Sequence, residues 1–277
     1  MTSSLILSVT TFVYAAASVF YIGAWSFGKR IMSRIGLIVL VAGFIMNTAG
    51  ILLRWVESYQ IGYGHAPFSN MYESLVFFSW TVCALYLFVE YKYKERIVGV
   101  FATPLIFLAI AYASLSPGVE SEITPLIPAL KSNWLIAHVI TCFLGYAGFA
   151  VAFGFSLMYL IRPGKTEGEG LLSKLPFPGV IDELTYQMVV FGFLFLTIGI
   201  ITGSVWANSA WGSYWSWDPK ETWSLITWFI YATLLHLRMM RGWHGKRIAW
   251  VSIVGFMAVL FTYFGVNYFL SGLHSYA

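Results

Sequence analysis

Charge is scarce in this chain: Asp, Glu, Lys and Arg make up only 10% of its 277 residues. A soluble globular domain carries about 25%, so a water-soluble fold is excluded. Cysteine is nearly absent as well. Cys83 and Cys142 stand alone, with no Cys-x-x-Cys and no Cys-x-x-Cys-His, which argues against a dithiol relay and against a covalently held haem of the chain's own. There is no low-complexity tract and no internal repeat. The net charge of +4 is not gathered into a soluble basic patch, so nucleic acid is not a partner.

What fills the sequence is apolar: 59% hydrophobic and 19% aromatic residues, with a mean hydropathy of +0.75. A helical crossing of hydrocarbon needs about 20 such residues. Eight segments qualify, at about 3–27, 35–56, 71–91, 97–115, 134–161, 183–206, 223–240 and 247–271. The expected fold is therefore all-α, a polytopic membrane protein of about eight transmembrane helices forming one domain over 1–277. The first segment lacks a basic leader and a clear cleavage site, and reads as a retained helix.

Lys and Arg beside a span stay on the cytoplasmic side. Thirteen of the sixteen fall on alternate loops: Lys29, Arg30, Arg34; Lys92, Lys94, Arg96; Arg162, Lys165, Lys174; and Arg238, Arg241, Lys246, Arg247. Arg54, Lys131 and Lys220 are left for the opposite side. This asymmetry places both termini outside, together with the loops 57–70, 116–133 and 207–222. Inside, 162–182 reads as a flexible linker. Its Gly164-Lys165-Thr166 is not a phosphate-binding loop, because Tyr159 stands where the first glycine is required.

The densest signal is the stretch 206–228, WANSAWGSYWSWDPKETWSLITW, with six of the twelve tryptophans: Trp206, Trp211, Trp215, Trp217, Trp223 and Trp228. Indole offers a large flat ring with one N–H donor, suited to a membrane interface or to a broad planar ligand. An aromatic belt explains Trp25, Trp55, Trp80, Trp134, Trp243 and Trp250, each near a span end, but six in 23 residues exceed what a belt needs. Trp211, Tyr214 and Trp215 fall at i, i+3 and i+4, which predicts a short helix lying along the outer surface. Asp218 and Pro219 read as the cap and first turn of the seventh span, with Glu221 near the positive end of its dipole.

The histidines sort by topology. His138, one turn into the fifth span, and His274, just past the eighth, both reach the outer face that carries the tryptophans. His236, thirteen residues beyond Trp223, lies about 20 Å deeper, towards the cytoplasmic end. An ionisable side chain within a span is costly and marks a functional candidate. Two neutral imidazoles are what axial ligation of haem iron requires, and Arg54, Lys131 or Lys220 would suit the propionates. Taken singly, His138 and His274 read more readily as interfacial polar residues than as ligands, and His236 equally as a histidine bonded to a neighbouring carbonyl. His65 and His244 read as loop histidines. Glu73, three residues after Asn70, reads as a capping partner.

The run WGSYWSWDPKETWSLITW, the downstream YATLLHLR, the terminal GLHSYA and the block GHAPFSNMYESLVFFSW at 64–80 closely resemble the CcsA/ResC cytochrome c biogenesis proteins, the haem-handling family with the tryptophan-rich WWD signature. The likeness spans about 60–277; residues 1–60 carry no matching motif. The resemblance implies transport and presentation of haem b, as substrate, for covalent attachment to apocytochrome c. His138 and His274 would be the external iron ligands, and His236 the ligand of an intramembrane site. Trp206, Trp211, Trp215, Trp217, Asp218 and Trp223 would form the haem-holding segment. It further implies a CcsB/ResB-type membrane partner supplying the second ligand at His236, an apocytochrome presenting Cys-x-x-Cys-His, and a subunit role in a holocytochrome c synthase. The membrane would be a bacterial plasma membrane or a plastid thylakoid, with the Trp-rich segment outside. Two other readings remain: a permanent b-type haem or quinone-reactive electron-transfer subunit, and a transporter of another apolar or planar anionic solute.

Overall fold

The computed structural model describes residues 2–162 and 170–270, apart from the side chain of residue 173. Among the described residues there is no strand. The principal helices are α1 (Ser3–Phe27), α2 (Arg30–Gln60), α3 (Met71–Tyr93), α4 (Gly99–Leu115), α5 (Asn133–Ile161), α6 (Pro178–Trp211), α7 (Pro219–Arg241), α8 (Lys246–Leu260) and α9 (Val266–Phe269). A single π turn, Phe261–Gly265, joins the last two.

Seven of the described helices are long and apolar enough to cross a membrane, and the protein is integral to one. Seven of the eight expected spans are recovered, with α8, the π turn and α9 forming one of them. The exception is α7. It has the length, 23 residues or about 34 Å, but its tryptophans, threonines, His236 and charged ends dilute its apolar content.

The chain gathers into two compact units: Met1–Leu126 with Lys165–Leu175, and Ile127–Gly164 with Pro176–Ala277, each as far as its residues are described. In the first unit, α1 packs on α2 and α4. Close approach rests on glycine: a Cβ on Gly43 would sit 2.7 Å from Tyr14, and one on Gly50 2.6 Å from Leu7. Three charged groups, Glu90, Arg54 and Glu73, are buried here with partners. Glu90 accepts from the hydroxyls of Tyr21 and Tyr86, each at 2.6 Å. Arg54 Nε donates to Glu73 Oε1 at 2.7 Å with both side chains sealed from solvent, and its Nη2 donates to the Glu122 carbonyl. Arg54 is thus committed to structure and does not stand ready for a propionate. Asn70 caps α3 by accepting from Glu73 N–H, and Glu73 reaches back to Ser69.

In the second unit, α5 and α6 run against each other along most of their lengths, backbone to backbone. A Cβ on Gly145 would lie 2.9 Å from Leu196 N, and one on Gly148 2.9 Å from the Cα of Gly192. Helix α8 packs on α5, and α7 lies against α8 and α6. Phe149 and Tyr231 stack with centroids 3.5 Å apart and planes 5° off parallel.

The outer stretch corrects one expectation. Helix α6 extends to Trp211 and ends at Gly212 in the left-handed region, φ 77°. Residues 212–218 are not helical, so no surface helix carries the tryptophans. The spacing of Trp211, Tyr214 and Trp215 mimics a helix, but Gly212 stops α6 and Trp217, at φ 61°, rules out a continuous turn. Helix α7 begins with Asp218 as expected: Pro219 at its first position and a full capping box with Glu221.

Candidate functional site

His138 is set by its neighbours more tightly than its sequence position reveals. Ser132 caps α5 by accepting from Trp134 N–H, and His138 follows in the second turn. Its Nδ1 lies 2.7 Å from the Gly199 carbonyl of α6. A carbonyl only accepts, so Nδ1 carries a proton and donates to it. Imidazole ligands of metals are oriented in this way, through their other nitrogen. Gly203 makes the space, since a Cβ there would lie 2.5 Å from Nδ1. Cys142 Sγ is 3.6 Å from the same nitrogen. The glycines of α6 that seat His138 were missed in the sequence; their four-residue spacing was the available signal.

Trp206 stacks on the His138 ring, centroids 5.9 Å apart and planes 19° off parallel. It is itself buried, and its Nε1 donates to the Ala129 carbonyl at 2.9 Å. Trp206 therefore backs the imidazole and ties 128–130 to α6, with no face open to a ligand. Trp211 meets Trp206 edge-on at 4.8 Å. Trp215 and Trp217 meet at right angles, 5.8 Å apart, and Trp217 is the most exposed of the cluster. Trp223, at the head of α7, packs on Phe261 at 4.1 Å, and its carbonyl accepts from Thr262. Trp228 belongs to the helix packing, donating to Thr197 and lying against Phe193.

Asp218 is buried as the cap of α7, its Oδ2 accepting from Lys220 N–H. Glu221 Oε2 accepts from Ser216 N–H and Asp218 N–H, which fixes the chain just ahead of the helix. Burial pushes the Lys220 ammonium down to about 8, with the Asp218 charge opposing. Lys131 is exposed. The structure thus brings His138, Trp206 and Trp211 together and sets Trp215, Trp217, Asp218 and Trp223 on the segment that follows. His274 lies outside the described residues.

His236 is elsewhere, near the far end of α7, on a face with exposed Ile226, Phe229 and Met240. The opposite face carries Arg238, buried against Asp182 at 2.7 Å and Glu183 at 3.2 Å.

The family model described as Cytochrome C assembly protein matches residues 68–274. A "Cytochrome c biogenesis protein CcsA" of Synechococcus sp. (strain RCC307) is 40% identical over 269 residues, covering 88% of this chain and 85% of that protein. The proteins of the same name from Guillardia theta and Trieres chinensis are 37% and 36% identical, covering 94% and 100% of this chain and 86% and 96% of their own lengths. Among solved structures, "Cytochrome c Heme Lyase CcmF" superposes with a TM-score of 0.71 over 95% of this chain. At 17% identity that likeness is one of fold, and this chain spans about half of that protein, 47%.

Proposed function

Because the chain belongs to the CcsA-type cytochrome c assembly proteins, we propose that it carries haem b across the membrane and presents it, as substrate, for covalent attachment to apocytochrome c. The observation that supports this most directly is His138. Its Nδ1 is held by the Gly199 carbonyl and its ring is backed by Trp206, the fixed orientation in which imidazoles ligate metals.

In this reading His138 and His274 are the axial ligands of an outward-facing site. Trp211, Trp215, Trp217 and Trp223 offer indole surface to the porphyrin, while Trp206 and Asp218 act behind them, one seating His138 and the other fixing the start of α7. Lys131 and Lys220 meet the propionates. Attachment adds a cysteine S–H across each vinyl group with no leaving group. The protein's work is then to position the ring and set the iron's ligation, with little acid–base chemistry of its own.

His236 is the ligand of an inner site. An imidazole on an outward face of a membrane helix is costly unless paired, which favours a partner of the CcsB/ResB type contributing the second ligand. We take α7 as the eighth crossing, so that both termini and the Trp-rich segment face the periplasm or thylakoid lumen and the whole of 1–277 works as one haem-handling domain. The membrane is a bacterial plasma membrane or a thylakoid. Removing the gene should abolish haem-stained c-type cytochromes while their apoproteins persist; normal c-type cytochromes in the deletion strain would overturn the proposal.

A further inference from the structure

The turn between α7 and α8, Gly242-Trp243-His244-Gly245, is built around Asp182 near the start of α6. Asp182 Oδ2 accepts from Arg238 Nη1 at 2.7 Å and from His244 Nδ1 at 3.1 Å, and its Oδ1 accepts from Gly245 N–H at 2.7 Å. Gly242 and Gly245 take φ 62° and 67°, conformations that side chains rarely adopt. A Cβ on Gly245 would also strike the Tyr159 hydroxyl. His244 has the sequence setting of an ordinary loop histidine, and its pairing with Asp182, 62 residues away, exists only in the folded chain.

Arg238 and Gly245 N–H already satisfy the buried carboxylate, and an exposed histidine pair adds about 0–1 kcal/mol. Clamping alone does not call for an imidazole whose side chain is 63% exposed. Yet the carboxylate holds a proton on Nδ1 of this exposed ring, the arrangement by which carboxylates orient metal-binding histidines towards ligation through Nε2. Beside it the Arg247 guanidinium lies over the Trp243 indole, 5.3 Å from its centroid. Arg241 and Lys246 flank the turn. An oriented imidazole, an aromatic plate and three cations match a flat, apolar, iron-containing ring bearing carboxylates.

We infer that the α7–α8 turn is a capture site for iron porphyrin, with His244 Nε2 as the axial donor, loading haem for His236 on α7. This rests on the haem-handling reading above. His236 stands five residues, about 7.5 Å of helix, before the end of α7.

The test uses the purified full chain in detergent, mixed with ferric haem b and followed by the Soret shift. His244→Gln keeps a donor for Asp182 but has no imidazole. Losing only the partner that orients a ligand costs about 10- to 100-fold at metal sites, so loss of the ligand itself should slow haem loading at least about tenfold, while quenching of tryptophan by iron-free protoporphyrin IX stays unchanged. A second arm removes the other proposed ligands together, His138→Ala, His236→Ala and His274→Ala. That variant should still show an imidazole-ligated haem spectrum, and adding His244→Gln should abolish it. Equal loading rates in wild type and His244→Gln overturn the capture site alone. A parallel loss of protoporphyrin binding also overturns it, by showing that the iron is not what His244 recognises. Wild type that takes up no haem at all refutes the haem-handling reading itself.

Discussion

Replacing Gly203 by alanine puts a methyl group where the His138 ring stands. The added Cβ would lie 2.5 Å from Nδ1 and 2.7 Å from Cε1, against about 3.5 Å for ordinary contact. The ring must retreat by about 1 Å, which breaks the 2.7 Å hydrogen bond to the Gly199 carbonyl. That bond contributes about 1 kcal/mol to stability, and alanine returns a similar amount through its better helix propensity. The fold should therefore survive with a nearly unchanged melting temperature. The imidazole, however, loses its orienting partner, a change that costs about 10- to 100-fold in affinity at metal sites. Haem per purified protein and the low-spin spectrum are the assay, with Gly118→Ala, which meets nothing within 4 Å, as the control. A Gly203→Ala protein that retains wild-type haem with an unshifted Soret band would refute the placement of His138 as a ligand.

Three further outcomes are expected. Arg54→Ala strands the buried Glu73 carboxylate and should cost about 3–5 kcal/mol, read as a loss of folded protein in thermal unfolding; a variant of wild-type stability would contradict the buried pairing. Trp206→Phe keeps a ring against His138 but drops the bond to the Ala129 carbonyl; it should lower stability by about 1 kcal/mol and leave haem content mostly intact, whereas complete haem loss would make the indole a direct contact. Lys220, held by burial at about 8 against 10.5 for a solvated lysine, destabilises the fold fully below about pH 8. That cost is relieved as pH rises towards 10.5, where the unfolded chain also loses its proton. Its charge is nevertheless lost above about 8, so if it pairs a propionate, haem retention should fall between pH 7 and 9 in wild type and stay level in Lys220→Gln.

The helices were legible because hydrocarbon enforces them. The apolar runs 134–161 and 71–91 became Asn133–Ile161 and Met71–Tyr93, their starts fixed by the caps Ser132 and Asn70. The start of α7 was legible for the same local reason, Asp-Pro-x-Glu being a cap that needs no tertiary partner. Helix α6 overran its apolar stretch at both ends, since Pro178 can begin a helix earlier and only Gly212 stops it. What the sequence could not display was contact across long separations. The Gly199 carbonyl that orients His138 depends on the register of two glycine-lined helices, and Asp182 meets His244 only once α6, α7 and their turns are in place. Arg54, one of three cations left for the outer face, proved to be sealed against Glu73, a pairing that charge counting cannot reveal.

In the proposed function the tryptophan segment works with His138 and His274 to hold haem iron. The most direct measurement is the absorption spectrum of the chain purified with its co-expressed partner, in wild type and in a double His138→Ala, His274→Ala variant. The double variant should lose the low-spin haem of the outer site while retaining the signal that depends on His236. An unchanged spectrum and haem content in that variant would contradict the proposed function.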